Sequence, residues 1–176
     1  MATVEQFKSQ LKNGGARPNQ FRVTLTFPDG IVGSAAAAQK AQFLIKATSL
    51  PASTVEDIAV GYRGRTIHFA GERNFADWDV TIINDTGFEI RKALENWHHK
   101  ICNYDATNGE VAPLAYQVDL TVEQLDRNDE VLYSYIFKDA YPTTIAAIEL
   151  SYETNTALEE YGVTFTYNFY EPSGVL

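Results

Sequence analysis

The chain has 176 residues, 45% of them hydrophobic and 21% charged, so it holds one domain with a real core. Its formal net charge of −9 excludes general nucleic-acid affinity, which needs a basic footprint, and its single cysteine, Cys102, excludes an internal disulfide and a cysteine metal cluster. No apolar run approaches the roughly 18 residues of a membrane span, and the polar start "MATVEQFKSQLKNGG" has no signal-peptide core. The expectation is a soluble, intracellularly made protein without membrane insertion.

In chain order, Val4, Phe7 and Leu11 at helical spacing predict a weakly amphipathic helix, stopped by Asn13-Gly14-Gly15. Phe21, Val23, Leu25 and Phe27 alternate with polar residues and predict a half-buried strand, closed by a turn at Pro28-Asp29-Gly30. "IVGSAAAAQKA" (31–41) reads as an elaborated loop or short helix. "QFLIKATSL" (42–50) reads as a strand ended by Pro51, and residues 51–65 as an exposed loop. "RTIHFAGER" and "WDVTIIND" predict two more strands, joined by "AGERNFAD".

A helix is predicted over 87–101. Thr86 and Glu89 suit a capping box, and Ile90, Leu94, Trp97 and Ile101 form one apolar stripe. In the C-terminal half, Tyr116-to-Val122 and Val131-to-Phe137 alternate around the polar turn "LDRNDE", a hairpin ended by Pro142. Ile148, Leu150 and Tyr152 predict another strand, and Val163, Phe165, Tyr167 and Phe169 the last. These elements amount to a mainly β fold, an antiparallel β-sandwich or partial barrel of about eight strands with one main α-helix, in a single domain spanning 1–176.

Chemistry is scarce. His98 and His99 are helical neighbours, about 100° apart around the axis, and read as a solvated helix end rather than a metal pair. His68 reads as a surface or interface histidine, Cys102 as a small buried hydrophobe. Asp126, Asp129 and Glu130 lack the ligand spacing of a calcium loop and read as a solvated turn. GxSxG, P-loop and GxGxxG motifs are all missing. "GYRGR" (61–65) brackets two arginines with glycines like a phosphate cradle, but lacks the Lys-Ser/Thr and helix start such a loop requires. No enzyme activity, cofactor or metal is expected.

Three features suit a protein covered by copies of itself. Residues 51–65 are long and partly apolar, the polar strand faces hold few lysines to blunt an edge, and the tail "NFYEPSGVL" keeps its aromatics nearly to the end. In order along the chain, "ARPNQFRV" (16–23), "KATSLPASTVEDIAVGYRGRTIHFAGERNFADWDVTIIND" (46–85), "FEIRKALENW" (88–97) and "YPTTIAAIELSYETNTALEEYGVTFTY" (141–167) resemble the tail tube protein of contractile-tailed phages of the T-even type. The departures are "PDGIVGSAAAAQKA", which looks like an insertion, and the short connection at 102–115; both are loops.

The resemblance implies a structural virion protein, assembled in the host bacterial cytoplasm, whose sixfold rings stack into a tube inside a contractile sheath. Its implied partners are itself, the tail sheath protein, the baseplate or tube initiator, the tape measure protein and then double-stranded DNA, held without tight binding. It also implies that residues 51–65 contact the next ring. Val55, Ile58, Val60 and Tyr62 then belong to an inter-ring interface in which Gly61 and Gly64 supply unusual backbone angles. Arg63 and Arg65 would pair with a neighbour's carboxylates, with Glu72, Arg73 and Asp77 fixing the same joint. The bore candidates are the polar strand positions Thr66, His68, Glu149, Ser151, Glu153, Thr164 and Thr166, where negative charge would repel phosphate.

Two near alternatives share this reading: the tube of a phage-like bacteriocin or related contractile injection machine, and a tube-initiator or baseplate-hub relative that makes one ring only. A different class is a carbohydrate-binding sandwich using Trp78, Trp97 or Tyr170 as a sugar platform. The stripe positions of the two tryptophans point instead to the core.

Overall fold

The computed structural model describes residues 3–11, 15–105 and 108–173. Alternating apolar positions build two antiparallel layers that share one long strand. Strands β1 (Phe21–Thr24), β6 (Val118–Leu125), β7 (Val131–Ile145) and β9 (Phe169–Pro172) form the first layer. The far half of β7 continues into the second, with β8 (Glu160–Thr166), β5 (Trp78–Ile83) and β2 (Ile45–Thr48). Asp139, at φ 57°, lies where β7 passes from one set of partners to the other.

Facing sides of the layers meet in the core. Trp78 of β5 stacks on Phe137 of β7 at 4.3 Å between ring centroids, and Val23, Val80, Leu120, Val122, Val163 and Phe165 are buried around them. Helix α3 (Glu89–Ile101) buries Ile90, Ala93, Leu94 and Trp97 and packs on α2 (Ser34–Leu44), which turns Ala37 and Ala41 inward. Both tryptophans are core residues whose indole N–H groups are satisfied: Trp78 donates to the Ser49 carbonyl (2.9 Å) and Trp97 to that of Tyr116 (2.8 Å). Neither is a sugar platform.

The mainly β sandwich expected from the sequence is present, with nine strands and three α-helices among the described residues. The differences have local causes. Helix α2 takes the first residues of the expected strand at 42–50, because its small alanines lie flat against α3 and β1. Asp85, not Thr86, serves the start of α3, its Oδ1 accepting from the Glu89 N–H (3.3 Å) and its Oδ2 from Lys40 Nζ (2.6 Å); the cap residue itself is Phe88, in the left-handed region. The Lys40 ammonium holds the Asp85 carboxyl below its ordinary range.

Pro142 does not end β7. Pairing to β6 stops at Ala140, so beyond it β7 is an edge on that side and tolerates a missing N–H. The Ile148-Leu150-Tyr152 alternation makes no strand; residues 146–159 form an irregular exposed segment. The last expected strand is two, because β8 leaves its pairing at Thr166 and β9 moves to the other half of β7. Cys102 is exposed: it follows the apolar stripe in extended backbone at φ −143°, which turns it off the buried face. Helix α1 (Val4–Gln10) forms where expected, with a Thr3–Gln6 capping box and no buried residue; its expected stop at Asn13-Gly14 lies outside the described residues.

A candidate assembly surface

Residues 51–65 are not a loop. Ser53–Tyr62 is a strand, β3, antiparallel to β4 (Arg65–Phe75), and the two form a separate hairpin that contacts the body only at its base. Strand β4 therefore runs through most of the stretch read as a connection. The motif "GYRGR" is the tip. Arg63 and Gly64 both take positive φ, 48° and 81°, the backbone of the two-residue turn whose twist matches the flanking strands. Gly61 is ordinary strand; the special angles belong to Arg63 and Gly64.

Register gives the hairpin two unlike faces, because directly opposed residues share a side. Ile58 opposes Phe69, Val60 opposes Ile67 and Tyr62 opposes Arg65, one apolar face. Asp57 opposes Ala70, Ala59 opposes His68 and Gly61 opposes Thr66, one polar face. A bulge between Val55 and Asp57 breaks the alternation, and Gly71 sits against it, where an added Cβ would come within 3.0 Å of the Glu56 carbonyl oxygen. Every apolar side chain on this face is exposed, with Ile58 at 51% and Phe69 at 56%.

On the polar face His68 Nδ1 lies 2.6 Å from Asp57 Oδ2. At the tip the Arg63 guanidinium lies over the Tyr62 ring at 5.3 Å. Neither Arg63, Arg65 nor Arg73 has an ion-pair partner among the described residues.

The base is held by aromatics. Phe75 meets Tyr170 edge-on at 5.4 Å and tilts against Tyr167 at 6.2 Å; Tyr167 meets Phe137 at 4.8 Å, which reaches the Trp78 stack. Ser53 Oγ and the Tyr170 hydroxyl share a hydrogen bond at 3.2 Å, and Ala76 N–H donates to the Ala52 carbonyl at 3.3 Å. The Tyr167 hydroxyl is buried without a partner, and burial pushes its pKa up to about 12.

The residues singled out in the sequence separate in space. Val55, Ile58, Val60, Tyr62, Arg63, Arg65, Glu72 and Arg73 lie together on the hairpin, with Thr66 and His68 on the same element. Asp77 does not join them. It lies beside the second layer, accepting from Thr166 Oγ1 at 2.8 Å, as Asp79 accepts from Thr164 Oγ1 at 2.6 Å. That outer face alternates with the buried residues of β5 and β8. Glu149, Ser151 and Glu153 lie exposed on the irregular segment, outside any strand. Ile67, Phe69 and Asp79 were not singled out, although the alternation of β4 and β5 carried the signal.

A family model described as phage tail tube protein matches residues 16–173. The tail tube protein gp19 of Enterobacteria phage T4 is 31% identical over 159 residues, covering 89% of this chain and 91% of that protein. The tail tube protein of Serratia phage KSP90 is 30% identical over 152 residues, covering 85% of each. In structure, the tube-terminating cap of the anti-feeding prophage is similar with a TM-score of 0.67 at 15% identity, covering 90% of each chain, a likeness of fold.

Proposed function

This chain belongs to the phage tail tube protein family, and from that premise we propose that six copies close into a ring, that rings stack into a hollow tube inside a contractile sheath, and that the tube conducts double-stranded DNA into the host. Membership makes it a structural component of the virion tail, not an enzyme. The sixfold ring, the sheath and baseplate or initiator contacts, the tape measure protein and the DNA are the proposed part.

The observation that carries the proposal is the β3–β4 hairpin. An isolated two-stranded hairpin is marginal in water, and this one exposes the apolar side chains of Ile58, Val60, Tyr62, Ile67 and Phe69 on one face. Such a face marks an interaction site. Pore size agrees. Small barrels are filled by side chains, and 16–18 strands leave only a narrow channel. The second layer has four strands, so six copies would line a bore of about 24 strands, wide enough for a duplex.

The face we assign to that bore carries Asp77, Asp79, Thr164 and Thr166. Hydrogen bonds from the two threonines fix the two carboxylates at the surface. Fixed negative charge repels phosphate and lets DNA slide, and a ring of six multiplies the chain's −9. Of the polar positions read as bore candidates, Thr164 and Thr166 fit this surface; Thr66 and His68 fit the inter-ring hairpin instead.

Negative-stain microscopy of the purified protein, with a seed from the tail initiator, tests the reading. Hollow tubes of stacked rings are expected. Single globules at high concentration, with a working seed present, would overturn it.

A further inference from the structure

The hairpin's docking surface on the next copy can be read from the register of the second layer. Strand β2 enters the hairpin and β5 leaves it, with Trp78 opposite Phe165 at that end. At the opposite end Ile83 pairs with Glu160, and β7 runs toward that end, from Tyr141 opposite Thr166 to Ile145 opposite Val163 in mid-layer. Residues 146–159 join β7 to β8 and therefore lie at the end of the layer away from the hairpin.

That segment is apolar and acidic together. Leu150, Tyr152 and Leu158 are 79%, 108% and 71% exposed. It contains three glutamates and no lysine or arginine. Glu159 is held by Asn84 Nδ2 at 2.8 Å, whereas Glu149 and Glu153 have no ion-pair partner among the described residues. The hairpin presents the complement: an exposed apolar face ending in Arg63 and Arg65, both unpaired. Ten residues of strand carry that tip about 30 Å from the body.

We propose that the hairpin of one copy seats on residues 148–158 of a second copy, in the next ring. Ile58, Val60, Ile67 and Phe69 cover Leu150, Tyr152 and Leu158, while Arg63 and Arg65 pair with Glu149 and Glu153. The two surfaces lie at opposite ends of one subunit, so the contact is head-to-tail and repeats without closing, the symmetry of a filament. The proposal rests on the tube reading and adds its receiving surface.

Charge exchange tests it in the full chain by seeded sedimentation and microscopy. R63E/R65E and E149R/E153R should each lower the sedimentable fraction at least tenfold, and the quadruple variant should restore tubes. In a second arm, Y62C with Y152C in a C102S background should give covalent ladders when assembled tubes are oxidised. Wild-type tubes with no charge rescue, or tubes without ladders, would overturn the docking and leave the tube intact. Wild-type chains that form no tubes would overturn both.

Discussion

The rings of Phe75 and Tyr170 pack in a T-shape with their centroids 5.4 Å apart, joining the last residue of the hairpin strand β4 to the C-terminal strand β9. The hydrogen bond between Ser53 Oγ and the Tyr170 hydroxyl ties the other hairpin strand to the same residue. Tyr170 is thus the clamp on both legs of an element that otherwise stands in solvent, and β9 is held in turn by its pairing with β7.

Phe75 is half-buried, so truncation forfeits less than a full core ring. F75A should cost about 2 kcal/mol in denaturant unfolding. Its larger effect is on aim: the hairpin loses its fixed angle, and seeded elongation should slow by more than the lost stability explains. Y170F keeps the ring and removes only the hydroxyl, so it should cost about 1 kcal/mol and elongate near normally. Equal elongation defects in the two variants would count against the clamp.

The apolar hairpin face makes the opposite pair of expectations. Ile58 and Phe69 oppose each other and are both more than half exposed. I58N with F69N should leave monomer stability within about 0.5 kcal/mol, as for other surface changes, while abolishing sedimentable tubes. A large loss of monomer stability would mean the face packs within its own chain.

What the residues disclosed in advance follows a physical division. The strict alternation of Val163 and Phe165, and the stripe Ile90, Leu94 and Trp97, were legible because one buried face dictates each pattern. Strand β3 was not, because its bulge puts Glu56 and Asp57 between Val55 and Ile58 and breaks the period, and its partner is the one strand that follows it. Ile148, Leu150 and Tyr152 show the converse. Their alternation is clean, but in the monomer no strand pairs with them, and periodicity reports a backbone preference rather than a neighbour. Pro142 was misread as a terminus because its tolerance depends on β6 ending first, a fact of register. The assembly surface was legible in part: Arg63 and Tyr62 stood out by composition, whereas Ile67 and Phe69 alternate visibly along β4 but are joined to Ile58 and Val60 on one exposed face by the hairpin register.

The bore assignment has its own test. Asp79 Oδ1 accepts from Thr164 Oγ1, which fixes the carboxylate on the outer face of the second layer. D79K places an exposed cation there and should not disturb the core, since Trp78 and Val80 alternate away from it. Tubes of D79K should retain duplex DNA at low salt and release it steeply as salt rises, while wild-type tubes retain none. Tubes of D79K that hold no DNA at any salt would move the bore to another face.

Alkaline pH should expose the buried phenols. Burial pushes the Tyr167 hydroxyl up to about 12 and holds Tyr161 higher still, the nearby Arg91 guanidinium only partly opposing it. Unfolded, both phenols would titrate near their ordinary value of about 10. The folded state therefore keeps protons that the unfolded state has lost. The stability these groups contribute is complete below pH 10 and falls as pH rises toward 12. Denaturant midpoints measured across that interval should decline. The Tyr167 hydroxyl has no hydrogen-bond partner, so Y167F sacrifices no bond and should match or exceed wild type at neutral pH. It should also flatten part of the alkaline decline. An unchanged alkaline slope in Y167F would show that Tyr167 ionises freely in the folded chain, contrary to its burial against Phe137.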